Sequence, residues 1–196
     1  MKKNLYQVIA ILVLAVANFA FVSCAKAENN KTEQPSETAV KQENPGRFIT
    51  IDSKTIYGDE ITNALYKENK LTLVNIMATW CGPCVKELPE LQQIYEENNG
   101  YGVIGIVIDT FDQRTESVIG TAVEEAKNIA EKTGAKYPLS IPTNTFLEQT
   151  VNKAAALLPM SFIVDQEGKI LKGPIAGARN KAQWLEILNS VEESLK

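Results

Sequence analysis

Residues 47–196 read as an α/β sandwich, a central mixed sheet flanked by helices. Two nearly continuous apolar runs, LTLVNIM at 71–77 and YGVIGIVI at 101–108, have the pattern of central strands covered on both faces. Segments with helical spacing alternate with these runs, and the chain closes on a hairpin followed by a helix. Such alternation layers helices on a sheet.

In chain order, 48–51 reads as a short strand and 59–68 as a helix carrying Ile61 and Leu65 on one face. After the strand at 71–77, residues 83–98 are expected to be helical, with Val85, Leu88, Leu91 and Ile94 at helical spacing. Pro89 should kink that helix, because it removes one amide donor and crowds the preceding turn. The strand at 101–108 leads to a long helix at 116–132, a short strand near 137–141 and a helix at 146–155. Strands at 160–164 and 169–172 meet at Asp165-Gln166-Glu167-Gly168, a hairpin turn signal. Asn180 is suited to cap a last helix, 181–195, which buries Trp184, Leu188 and Val191. There is no internal repeat.

The first 46 residues do not belong to this pattern. Lys2 and Lys3 precede an apolar stretch from Val8 to Val22, so 1–23 reads as a secretory signal peptide, too short for a permanent span. Phe21-Val22-Ser23-Cys24 resembles a bacterial lipoprotein signal, in which Cys24 would become the lipidated N-terminus and hold the protein to the bilayer; Phe21 stands where Leu is usual. Residues 24–46 are polar and charged, with Pro35 and Pro45. They cannot bury enough apolar surface to offset ordering entropy, and read as a disordered tether. The expected location is therefore extracytoplasmic and membrane-anchored.

Composition removes several functions. The 196 residues contain 3 Cys and no His, which excludes a Cys-His nucleophile pair, a His metal site and a Cys₄ zinc module. Neither a metal nor another cofactor is expected. A net charge of −4 argues against nucleic acid as a partner.

Chemistry concentrates at Trp80-Cys81-Gly82-Pro83-Cys84, where the strand at 71–77 passes into a helix. Residues three apart at a helix start have Cα atoms about 5 to 5.5 Å apart, within reach of a disulfide. Unpaired amides and the dipole at the helix N-terminus favour a thiolate at Cys81, making it the expected nucleophile and Cys84 the resolving thiol. Pro83 suits the first turn, and Gly82 lets another chain approach. A purely structural Cys81–Cys84 bond would close too small a loop to stabilise much.

The segment LVNIMATWCGPCVKELPEL resembles the active-site region of thioredoxin-like proteins, and specifically the TlpA/ResA family of membrane-tethered thiol–disulfide oxidoreductases. PMSFIVDQEGKI, from Pro159 to Ile170, is similar to that family's second signature. The resemblance implies a thioredoxin-like fold with an N-terminal extension and an inserted helix after Asp109. It also implies a cis Leu158–Pro159 bond facing the CxxC, with Leu158 and Pro159 contacting substrate; Trp80 is expected to pack beside the site as an apolar wall that touches substrate. Glu87, one turn beyond Cys84, matches an acidic residue near the family's active site, and a raised pKa would let it take the proton of Cys84. Asn75 stands where cytoplasmic thioredoxins carry a buried Asp, and an amide cannot serve as that base. Asp109 suits a capping or turn role.

The function implied is disulfide reduction in exported proteins, for example apocytochrome c or methionine sulfoxide reductase, with electrons from a membrane thiol donor of the CcdA/DsbD type. Strong oxidants of this fold place a His inside the CxxC, and Gly82-Pro83 offers none. A peroxiredoxin-like peroxidase is one alternative, but its Thr lies three residues before the reactive Cys, whereas Thr79 lies two before Cys81. A redox-inert lipoprotein using the fold for binding, or carrying copper on its thiols, is another; copper carriers of this fold generally add a His.

Overall fold

The computed structural model describes residues 47–97, 99–151 and 157–196; the leader, Cys24 and the tether lie outside them, as does most of 151–155. The architecture is a five-stranded mixed sheet in the order β7-β4-β3-β8-β9. Its centre is β3 (Leu71–Met77), paired parallel with β4 (Tyr101–Val107) and antiparallel with β8 (Met160–Val164). β7 (Leu139–Ser140) extends the parallel side, and β9 (Ile170–Ala176) closes the antiparallel edge. Every residue of β3, β4 and β8 is buried, as apolar runs covered on both faces require.

Helix α1 (Gly82–Glu97) covers one face, placing Leu88, Leu91 and Ile94 over Leu71, Leu73 and Met77. The same core takes in α2 (Gly120–Thr133) through Ala126 and Ile129, and α4 (Lys181–Ser194) through Trp184 and Leu188. On the opposite face, Val74, Ile76, Ile104 and Phe162 pack with Phe146 of α3 (Asn144–Thr150) and with Ile49 and Ile51. Asn180 caps α4 in a reciprocal capping box with Gln183. Among the described residues no helix is long and apolar enough to cross a membrane.

Several segments depart from the sequence reading. Phe48 forms only a single bridge to Lys169, and the first strand is β1 (Asp52–Lys54), paired with β2 (Glu60–Thr62). The helix expected at 59–68 is thus a strand followed by a 3₁₀ helix, Asn63–Glu68, which Thr62 caps by accepting the Ala64 amide. Residues 60–62 are taken up by pairing with β1, and Asn63, which opens the 3₁₀ helix, accepts the Ile51 amide with its side chain at 2.7 Å. α1 runs through Pro89 without interruption; Pro89 is on the exposed side, where water can satisfy the carbonyl its ring leaves free.

The helix expected from 116 starts only at Gly120, because a hairpin of β5 (Phe111–Asp112) and β6 (Ser117–Val118) comes first, turning with Glu116 at φ 50°. Ile108 leaves β4 for a short 3₁₀ turn ending at Thr110, and α3 begins at Asn144, two residues ahead of the reading, on a Thr143 cap. β9 continues past 172 to Ala176. The β8–β9 turn is tightened by Asp165, whose carboxylate accepts the Glu167 and Lys169 amides, and Gly168 adopts φ +81° with Ile49 packed against it.

Candidate active site

The strand order brings the C-terminal end of β3 to the N-terminus of α1, and the two cysteines sit at that junction. Cys81 and Cys84 form a disulfide with Cα atoms 5.3 Å apart. Cys81 occupies the cap position of α1: its Sγ accepts the Cys84 amide at 3.3 Å, and its carbonyl accepts the Val85 amide. A sulfur so placed lies at the positive end of the helix, where negative charge is stabilised. Both cysteines are nearly covered, at 4% and 2% exposure, while Gly82 and Pro83 face outward and a Cβ on Gly82 would meet nothing.

The turn before the pair is anchored from the 3₁₀ turn that follows β4. The Asp109 carboxylate accepts the Thr79 amide at 3.1 Å and the Thr79 hydroxyl at 2.5 Å, the turn role its position suggested. Trp80 does not pack as a wall; it is 71% exposed, leaving its indole open to a docking chain. Leu158 is half-buried and Pro159 buried, the peptide between them is cis, and Pro159's carbonyl accepts the Gly177 amide.

Behind the disulfide, Glu87 is a buried carboxylate at 2% exposure. Its Oε1 accepts the Trp184 indole N–H and the Arg179 amide, each at 2.8 Å, and its Oε2 accepts the Asn75 amide at 3.0 Å. Burial raises its pKa; the three donors and the Arg179 charge pull the other way without cancelling that rise. Asn75 also donates to Ser161 Oγ at 3.0 Å, so it orients Glu87 rather than exchanging protons. Arg179's guanidinium lies over the Trp184 ring, 5.2 Å from its centroid, and donates to the Ala176 and Gly177 carbonyls.

Glu87's holders were not visible in the sequence. Trp184 read as core, and Arg179 acts through its backbone, which no motif announces. Among the described residues no group of three or more His, Cys, Asp or Glu could hold a metal ion.

A disulfide at a helix cap, on this order of strands, is the arrangement of a thioredoxin-fold oxidoreductase working on sulfur. A model of the redoxin family matches residues 41–183, and the chain belongs to that family, in its TlpA/ResA-like branch. The thiol-disulfide oxidoreductase ResA of Bacillus cereus (strain ZK / E33L) is 28% identical over 187 residues, spanning 93% of this chain and 94% of the relative. Sporulation thiol-disulfide oxidoreductase A of Bacillus subtilis (strain 168) is 22% identical over 156 residues, 78% of this chain and 87% of that one. Among solved structures, a thiol:disulfide interchange protein of the thioredoxin family from Chlorobium tepidum TLS superposes with a TM-score of 0.57. It has 25% identity and covers 74% of this chain and 97% of its own.

Proposed function

We propose that this protein is an extracytoplasmic disulfide reductase of exported proteins. The reading rests on Cys81 as the cap of α1, its sulfur already accepting a backbone amide beside the exposed Gly82. In the dithiol state the Cys81 thiolate attacks a substrate disulfide, forming a mixed disulfide and releasing one substrate sulfur, which takes up a proton. Cys84 passes its proton to Glu87 and attacks Cys81 Sγ; the second substrate sulfur leaves with the bonding electrons and is protonated in turn. Two electrons and two protons have then moved to substrate, and the Cys81–Cys84 disulfide remains. A membrane thiol donor of the CcdA/DsbD type restores the dithiol. Trp80, Leu158 and Pro159 contact the substrate chain.

Apocytochrome c and methionine sulfoxide reductase are the substrates favoured by the family resemblance. The absence of His between the cysteines favours reduction over strong oxidation. Residues 1–23 act as the signal peptide, lipidated Cys24 anchors the chain, 24–46 tether it, and 47–196 form the catalytic domain. In cells, Cys84→Ala should accumulate mixed disulfides through Cys81, and the trapped proteins name the substrate. Insulin reduction by the purified protein should require both cysteines; activity that survives Cys81→Ser refutes the mechanism.

A further inference from the structure

Tyr137 is buried between α1 and the sheet, and its hydroxyl has no hydrogen-bond partner among the described residues. A buried hydroxyl without a partner is costly, so packing alone would be served better by Phe. Its backbone amide is held by Gln92 of α1 at 3.2 Å, and its ring lies over Gly105 of β4, where a Cβ would meet Tyr137 Cε2 at 3.2 Å. Gly105 is the register partner of Asn75 on β3, about 4.8 Å away across one strand spacing, and Asn75 is the residue that donates to Glu87. Tyr137 therefore stands on the α1 side of the sheet, beside the polar cluster behind the disulfide.

The groups that hold Glu87 share one limitation. The Trp184 indole, the Arg179 amide and the Asn75 amide all donate N–H, and none accepts a hydrogen bond there. A carboxyl that gains and loses a proton during exchange needs a neighbour able to reverse its polarity. A phenol can donate to the carboxylate and accept from the acid.

We propose that Tyr137 is a positioning residue for exchange: across one water, its hydroxyl donates to Glu87 when it is ionised and accepts from it when it is protonated. This rests on the proposed role of Glu87 in deprotonating Cys84. Burial, and secondarily the Glu87 charge, hold the Tyr137 phenol far above its ordinary range, so it keeps its proton throughout. The other titratable or charged groups facing the pair are Cys84 and Tyr95 on α1, Arg179 before α4, and Tyr101 at the start of β4, whose hydroxyl is taken up by Asn189 and Glu192; β3 and β8 present none on this face.

The test is the pH profile of mixed-disulfide resolution, measured with the full chain and a small disulfide substrate, for wild type and Tyr137→Phe. Because a charge-assisted hydrogen bond outweighs a neutral one, the limb that Glu87→Gln removes should move upward by about one pH unit, a tenfold loss of acidity. In a Glu87→Gln background, Tyr137→Phe should leave the profile unchanged. A profile superimposable on wild type, with thermal stability equal or higher, assigns Tyr137 to packing and overturns the proposal. An equal loss of rate in both backgrounds overturns it too. Failure of wild type to reduce insulin would instead end the reductase reading, so the two failures are distinct.

Discussion

Replacing Trp184 with Phe removes one hydrogen bond from a buried carboxylate while keeping an aromatic ring in the core. The indole N–H lies 2.8 Å from Glu87 Oε1, and neither side chain reaches solvent. Losing a donor to a charged acceptor costs about 1.5–3 kcal/mol, and the smaller ring adds a cavity contribution of about 1–2 kcal/mol, a fraction of a Trp→Ala truncation. The sum at pH 8 is about 2.5–5 kcal/mol. Once Glu87 is protonated the bond is neutral and worth about 0.5–1.5 kcal/mol, so the cost at pH 4 should be smaller by about 1–1.5 kcal/mol. Urea unfolding at the two pH values measures the difference directly. Far-UV circular dichroism is the suitable probe, because the substitution removes one of only two tryptophans. With a slope of about 2 kcal/mol/M the midpoint should fall by about 2 M at pH 8. The same substitution in a Glu87→Gln background should show no pH dependence. A cost that is identical at both pH values in the wild-type background would refute an ionised Glu87 held by this indole.

Two further outcomes follow from the same residues and from the leader. Burial raises the pKa of folded Glu87, so the folded state holds its proton to higher pH than the unfolded chain, whose Glu titrates near about 4.3. Its contribution to stability therefore falls as pH rises from that value through the folded pKa and is constant above it; Glu87→Gln should flatten the decline in a urea series, and parallel curves would contradict it. Cys24→Ser should abolish incorporation of labelled palmitate and release the protein from the membrane fraction; continued labelling would place the acyl group elsewhere.

Sequence patterns served well where burial is continuous along the chain. β3 and β8 have the bounds read from their apolar runs, and Asn180 caps the helix it was expected to cap. The patterns failed where a few residues answer to distant partners. Residues 60–62 went to pairing with β1, with Asn63 bound to the Ile51 amide, and a hairpin turning at Glu116 took the place of the start of an expected helix. The cysteine pair was legible because its chemistry is local, three residues on one helix end. The setting of Glu87 was not, since two of its three donors come from 92 and 97 residues away. Periodicity carries no information about such pairings; only the completed fold makes them neighbours.

One helix carries groups that answer to two separate audiences. Toward solvent, α1 and the residue before its cap present Trp80, Gly82 and Pro83; toward the sheet, it presents Glu87 to Asn75 and Trp184. The disulfide lies on the boundary between these halves. A change at Trp80 leaves the donors beneath the sulfurs untouched, and a change at Asn75 or Trp184 alters the hydrogen bonds to Glu87 and leaves the outer surface as it is, while Gly82 and Pro83, lying between the sulfurs, belong to both halves. The surface at Trp80 and the polar setting of Glu87 are thus separable variables in this scaffold, joined only at the two residues between the cysteines.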